Sequence, residues 1–129
     1  MAPVTWQPPV NVPILIVPHD KRRFNKKLSY VTSPGYLDGS PNARFKAGMQ
    51  GKGPYRVITT KAILDFCKDT NRMRILQIFP GETVESVQAA TGFELLVAPH
   101  VSTFDPPTKE EVRMIREDID PQQAFVKRA

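Results

Sequence analysis

The densest group of chemically capable side chains lies at residues 19–27, His-Asp-Lys-Arg-Arg-Phe-Asn-Lys-Lys. Arg22 and Arg23 carry planar guanidinium forks that match the paired oxygens of a carboxylate or phosphate, and the neighbouring lysines add point charge. The competing reading is a solvated turn whose charges face water or a partner subunit. The single cysteine, Cys67, excludes an internal disulfide and any multi-cysteine zinc site. A catalytic cysteine needs a histidine partner, and His19 and His100 both lie far from it in sequence. Placed beside Phe66 at the end of an apolar run, Cys67 is expected to be a buried, inert thiol. Gly35, Gly39, Gly48, Gly51 and Gly53 form no phosphate-binding fingerprint, since neither GxxxxGK[ST] nor a helix-opening GxGxxG occurs. No metal ligand set emerges.

Charge is unevenly spread. Residues 1–61 hold Lys or Arg at 21, 22, 23, 26, 27, 44, 46, 52, 56 and 61, against Asp20 and Asp38, while the remainder is mildly acidic. A basic front half calls for an anionic ligand, nucleic acid or an acidic partner surface. Nucleic acid is disfavoured, because the aromatics are not interleaved as a stacking platform and no recognition motif appears. The start, MAPVTWQPPVNVPILIVP, lacks a basic leader and has proline within a short apolar run, so it does not read as a signal peptide. No run approaches membrane-spanning length. These features, with one cysteine, predict a soluble cytoplasmic protein.

The elements that must position these residues centre on 53–81, GPYRVITTKAILDFCKDTNRMRILQIFPG. Three runs rich in β-branched, aromatic and aliphatic residues, 55–60, 62–67 and 73–79, read as a β-hairpin or meander over 55–79. The polar break 68–72 contains the turn-formers Asp69 and Asn71, and Pro80-Gly81 ends the last run. Alternation places Tyr55, Val57 and Thr59 on one side, Leu64 and Phe66 on another, and Leu76 with Ile78 on a third. Upstream, residues 1–12 are a proline-rich tail with Trp6, and 13–129 form one domain by length. Residues 14–17 (ILIV) are apolar on both faces and read as a strand needing neighbours on both sides. Residues 28–33 (LSYVTS) read as another strand, followed by a long loop to Gly53 of the kind that is functional or disordered.

Beyond the hairpin, a helix is expected at about 83–91, N-capped by Thr83, with Glu85 in its first turn and Gly92 in the left-handed C′ position. Val84, Val87 and Thr91 form its stripe. Residues 93–97 make a brief apolar return. A second helix at about 108–120 opens on the capping box Thr108…Glu111 after Pro106-Pro107. Its stripe is Val112, Ile115 and Ile119, packed back on the sheet, and Glu110, Glu111, Glu117, Asp118 and Asp120 face water.

Five phrases now stand in order: PHDKRRF (18–24), VTSPGYLDG (31–39), GPYRVIT (53–59), PGETVESVQAATGFEL (80–95) and PPTKEEVRMIREDIDP (106–121). In that order and spacing, over about residues 14–121, the chain closely resembles the C-terminal half of the β subunit of class I CoA-transferases of the glutaconate and 3-oxoadipate type. The resemblance implies the C-terminal part of an open α/β/α fold and pairing with an α-like subunit. It implies acyl-CoA as substrate, with no covalently bound cofactor. In the family a β-subunit glutamate attacks the acyl thioester, giving an anhydride and then a glutamyl-CoA thioester, with backbone donors at the oxyanion.

The departures are equally definite. Family β subunits are considerably longer, and their catalytic glutamate and glycine-rich oxyanion loop lie in the N-terminal half. None of Glu82, Glu85, Glu94, Glu110, Glu111 or Glu117 matches the catalytic position, so no catalytic residue is assigned and this chain alone is expected to be inactive. Tyr36, Tyr55 and Arg56 fall in family phrases and, with Arg22 and Arg23, are the substrate- or CoA-binding candidates. The alternative for the tyrosines is structural, with Pro-Gly pairs setting turns and Tyr55 packing at a strand start. Three functions remain open: a transferase segment needing an α-like subunit and the missing β half, part of a CoA-thioester ring-cleaving hydrolase of the same fold, or a non-catalytic interaction module.

Overall fold

The computed structural model describes residues 13–49 and 51–125; the proline-rich start with Trp6 lies outside them. Five strands, β1 (Ile14–Val17), β2 (Arg56–Thr59), β3 (Ala62–Phe66), β4 (Met73–Ile78) and β5 (Leu96–Thr103), form one mixed sheet in sequence order. The centre is an antiparallel meander, β2–β3–β4, with the polar break 68–72 turning the hairpin as expected. β1 pairs parallel to β2, and β5 parallel to β4, so a crossover flanks the meander on each side. Parallel neighbours require long connections. Residues 18–55 supply the first, carrying the short helix α1 (Ala43–Lys46), and α2 (Val84–Ala89) lies in the second. This is an α/β fold.

The core lies on one face of the sheet. Val57, Ala62, Leu64 and Ile75 meet Val87 of α2, Leu95, and Phe24 from the first crossover. Alternation holds through β2 and β3, where Val57, Thr59, Ala62 and Leu64 are buried. In β4 it breaks. Leu64 pairs with Ile75 but Ile63 with Gln77, which leaves Leu76 as an extra residue in a β-bulge. Fully buried Ile75 and the core-packed Ile78 therefore share the core face, while Leu76 belongs to no buried cluster. The expected pairing of Leu76 with Ile78 is thus corrected by one bulged residue.

Five further expectations change. Residues 28–33 are not a strand: they run as irregular chain with Tyr30 82% and Val31 62% exposed. β1 takes the edge of β2, and residues 28–33 pair with neither outer edge of the sheet. The apolar return is longer and later than 93–97, becoming β5 (Leu96–Thr103). β5 tolerates Pro99 because it is an edge strand and its register shifts between Val97 and Ser102. Gly92 is not left-handed; a Cβ there would lie 2.6 Å from the Phe24 carbonyl oxygen, so close packing rather than a helix cap demands glycine. The last helix begins on the Thr108–Glu111 capping box as α3 (Lys109–Arg113), then widens into a π-helix (Met114–Ile119) closed by Asp120 N–H to Ile115 O at 2.7 Å. The wider turn rotates the stripe, leaving Ile115 39% and Ile119 71% exposed instead of packed on the sheet. Asp120 is buried and accepts from the amides of Ala124 and Phe125 rather than facing water.

The N-terminal part of the α2 expectation holds. Thr83 caps it through Ser86 N–H, Glu85 sits in its first turn, and Val87 is fully buried. β1, by contrast, is bare: Ile14, Leu15 and Ile16 are 53%, 47% and 78% exposed. Among the described residues no helix is long and apolar enough to cross a membrane.

Candidate functional site

The long connection, residues 34–49 and 51–53, folds over the end of β3 and borders an open cavity of about 720 Å³. Tyr36 anchors the loop. Its hydroxyl donates to Pro54 O at 2.8 Å, its ring tilts against Phe66 at 5.0 Å, and its face covers Gly53. A Cβ at Gly53 would fall 2.6 Å from that ring, so glycine is what lets the two segments close. Asn71 of the hairpin turn ties the loop from the other side by donating to Gly39 O at 3.0 Å. Arg44, Lys52 and Lys68 bring positive charge to the wall, and among the described residues no acidic side chain lines it.

Cys67 also lines this cavity and is half-buried, not fully enclosed. Hydrogen bonds from the Thr70 side chain and the Asp69 and Thr70 amides hold its thiol below the ordinary value. The expected full burial is corrected to a half-buried thiol, and the donors of the hairpin turn favour the thiolate.

A second polar centre was not visible in sequence. His19 is buried, stacked on Phe24 at 4.3 Å, with Nδ1 3.0 Å from Thr59 Oγ1 and Nε2 2.9 Å from Thr91 Oγ1. Burial chiefly, and then Lys61, hold its pKa down; Asp20 and Glu82 oppose them. The imidazole joins the exit of β1 to the end of β2 and the turn after α2. No spacing rule connects positions 19, 59 and 91, so only their tertiary meeting reveals it. On the opposite face of the sheet, Asp65 is buried and takes two bonds from Arg74, at 2.6 and 2.9 Å, with Arg56 at 3.9 Å. That pair was legible in principle, because a hairpin turn at 68–72 sets Asp65 opposite Arg74.

The sequence candidates do not converge. Arg22 and Arg23 sit on an exposed turn, where Asp20 accepts from both backbone amides and pairs with the Arg23 guanidinium. Tyr55 and Arg56 lie together, the guanidinium 4.0 Å over the ring. Tyr36 alone of the five lines the cavity. The glutamates are engaged elsewhere. Glu82 binds Lys61 at 2.8 Å and Ser86, which lowers its pKa. Glu94 meets Arg72, Glu110 and Glu117 meet Arg113, and Glu111 closes a capping box.

No protein-family model matches the chain. The β subunit of glutaconate CoA-transferase from Acidaminococcus fermentans is 43% identical over 88% of this chain and 42% of the relative. The β subunit of 3-oxoadipate CoA-transferase from Pseudomonas knackmussii is 31% identical over 80% of this chain and 39% of the relative. The cholesterol ring-cleaving hydrolase IpdB subunit of Rhodococcus jostii is 29% identical over 81% of this chain and 40% of the relative. The crystal structure of the Acidaminococcus fermentans glutaconate coenzyme A-transferase superposes with a TM-score of 0.79 at 40% identity, covering 90% of this chain and 44% of that one. The chain thus spans about two-fifths of the length of the curated relatives it matches. Sequence and superposition agree: the chain belongs to the class I CoA-transferase β subunits.

Proposed function

We propose that this chain forms the C-terminal part of a CoA-transferase β subunit. With an α-type subunit, it moves CoA between an acyl-CoA and a dicarboxylic or 3-oxo acid in the cytoplasm. Acyl-CoA is a substrate and no cofactor is covalently bound. The observation that carries this reading is the 43% identity to a glutaconate CoA-transferase β subunit along 88% of the chain. The bare apolar strand β1 supports it. An edge strand with Ile14, Leu15 and Ile16 half or more exposed suits a sheet that continues into further protein.

In this reading the described glutamates do not act as nucleophile, since five of the six are tied to cations or a cap and Glu85 sits in the first turn of α2. The glutamate-bearing half and the α-type subunit complete the site, and this chain alone is inactive. Tyr36, Tyr55 and Arg56, with Arg22 and Arg23, are proposed as ligand- or interface-facing groups. Similarity to the Rhodococcus hydrolase subunit supports a second reading, ring opening of a CoA thioester, at lower identity.

Co-expression with an α-type subunit and the glutamate-bearing β segment tests the proposal. The expected result is a discrete complex by size-exclusion chromatography with light scattering that exchanges CoA between two acids. Thioester ring cleavage without exchange would select the hydrolase reading. A chain that ignores both companions and acyl-CoA would be an interaction module.

A further inference from the structure

The cavity beneath the 34–53 connection has a wall of one charge. Arg44, Lys52 and Lys68 line it, and none of them forms an ion pair among the described residues. Arg44 is held in place by donating through Nη1 to Gly35 O. Its Nε is buried and has no hydrogen-bond partner among the described residues. A buried, unmatched donor on a fixed cation is a costly arrangement unless an acceptor sits against it. The guanidinium edge bearing Nε is also the edge that binds paired anionic oxygens.

Beside these cations the wall carries the polar Ser40, Asn42 and Asn71 and an apolar side. Phe45, 82% exposed, Met49 and Phe66 form that apolar side. A small dicarboxylate would satisfy the cations but leave this surface and most of the volume unused. A ligand with a flat or apolar body and an anionic end uses both, and about 720 Å³ is in the range of organic ligand pockets.

We propose that this cavity binds a phosphorylated nucleoside, with Arg44 gripping a phosphate, Lys52 and Lys68 neutralising its charge, and the aromatic wall taking the base. The assignment builds on the acyl-CoA reading above, because it gives the nucleotide end of coenzyme A a seat on this domain. Cys67 lies at the same wall without entering the argument.

The test is isothermal titration of the purified full chain with adenosine 3′,5′-bisphosphate, alongside pantetheine and glutarate. The bisphosphate is expected to bind saturably and to weaken as salt rises. Arg44→Lys keeps the charge but loses the fork, and should weaken binding roughly tenfold. Lys52→Gln and Lys68→Gln should each cost several-fold and flatten the salt dependence. These lysines are exposed, so they keep the test decisive if the Arg44 variant unfolds on circular dichroism. Binding of pantetheine or glutarate but not the bisphosphate would overturn the proposal, as would affinity indifferent to all three substitutions. Arg44-dependent binding without CoA exchange in the assembled complex would sink the transferase reading alone. Exchange without that dependence would sink the cavity assignment alone.

Discussion

Two residues carry chemistry that their burial and neighbours have altered. Cys67 sits in a ring of donors from Thr70 and Asp69, and its pKa is held down by hydrogen bonds rather than by a cation. Thiolate fraction sets the rate of alkylation at neutral pH. Iodoacetamide should therefore modify the folded chain several-fold faster than the urea-unfolded chain, and Thr70→Val should remove much of that advantage. Equal rates in all three samples would show the thiol to be ordinary. His19 gives a pH dependence. Its folded pKa lies below the unfolded value of about 6.5, so just beneath that pH the unfolded chain binds the extra proton. Stability is complete above pH ~6.5 and falls as pH drops towards the folded value. Urea midpoints measured from about pH 8 to pH 5 should decline through this window, and His19→Asn should flatten the decline. The lowered carboxylates, Glu82 among them, titrate further into the acid and leave the window to His19.

At the scale of elements, the bulge in β4 decides which side chains enter the core. Ile75→Ala should cost about 2–5 kcal/mol in chemical denaturation, the usual range for a fully buried aliphatic residue. Leu76→Ala, at the bulged position outside the core cluster, should cost far less. Similar losses at the two sites would mean the bulge is misplaced. The junction of α2 with the first crossover makes a second test. Gly92 N–H donates to Phe24 O at 2.6 Å, and backbone fills the space a side chain would need. Gly92→Ala should therefore destabilise by about 1–3 kcal/mol through overpacking. An unchanged melting temperature would contradict that contact.

For the whole molecule, the asymmetry of the sheet is the main fact. One face is closed by α2 and Phe24, whereas β1 at the edge is largely uncovered. Ile16, 78% exposed, buries little within this domain. Ile16→Lys should leave the melting temperature of the isolated chain nearly unchanged, improve its recovery, and weaken assembly with the companions of the proposed transferase. Light scattering on co-expressed material measures this. Assembly at full strength with the lysine present would remove β1 from the interface.

Local chemistry determined a good deal of this protein from sequence alone. The hairpin turn at 68–72, the Thr83 and Thr108 caps and the stop at Pro80-Gly81 depend on residues within a few positions of one another, and each stands where the sequence placed it. The phrases that carry the family resemblance are equally local, and the comparisons confirm that membership. What tertiary structure decided depends on distant partners. Residues 28–33 have strand composition but join no edge of the sheet, and one bulged residue reassigns the core face of β4. Asp120 and His19 are polar residues buried only because other segments bring them donors and hydroxyls. The cavity is the extreme case: Arg44, Lys52 and Lys68 come from a loop and a hairpin turn, and only the closure of Tyr36 over Gly53 sets them around one space.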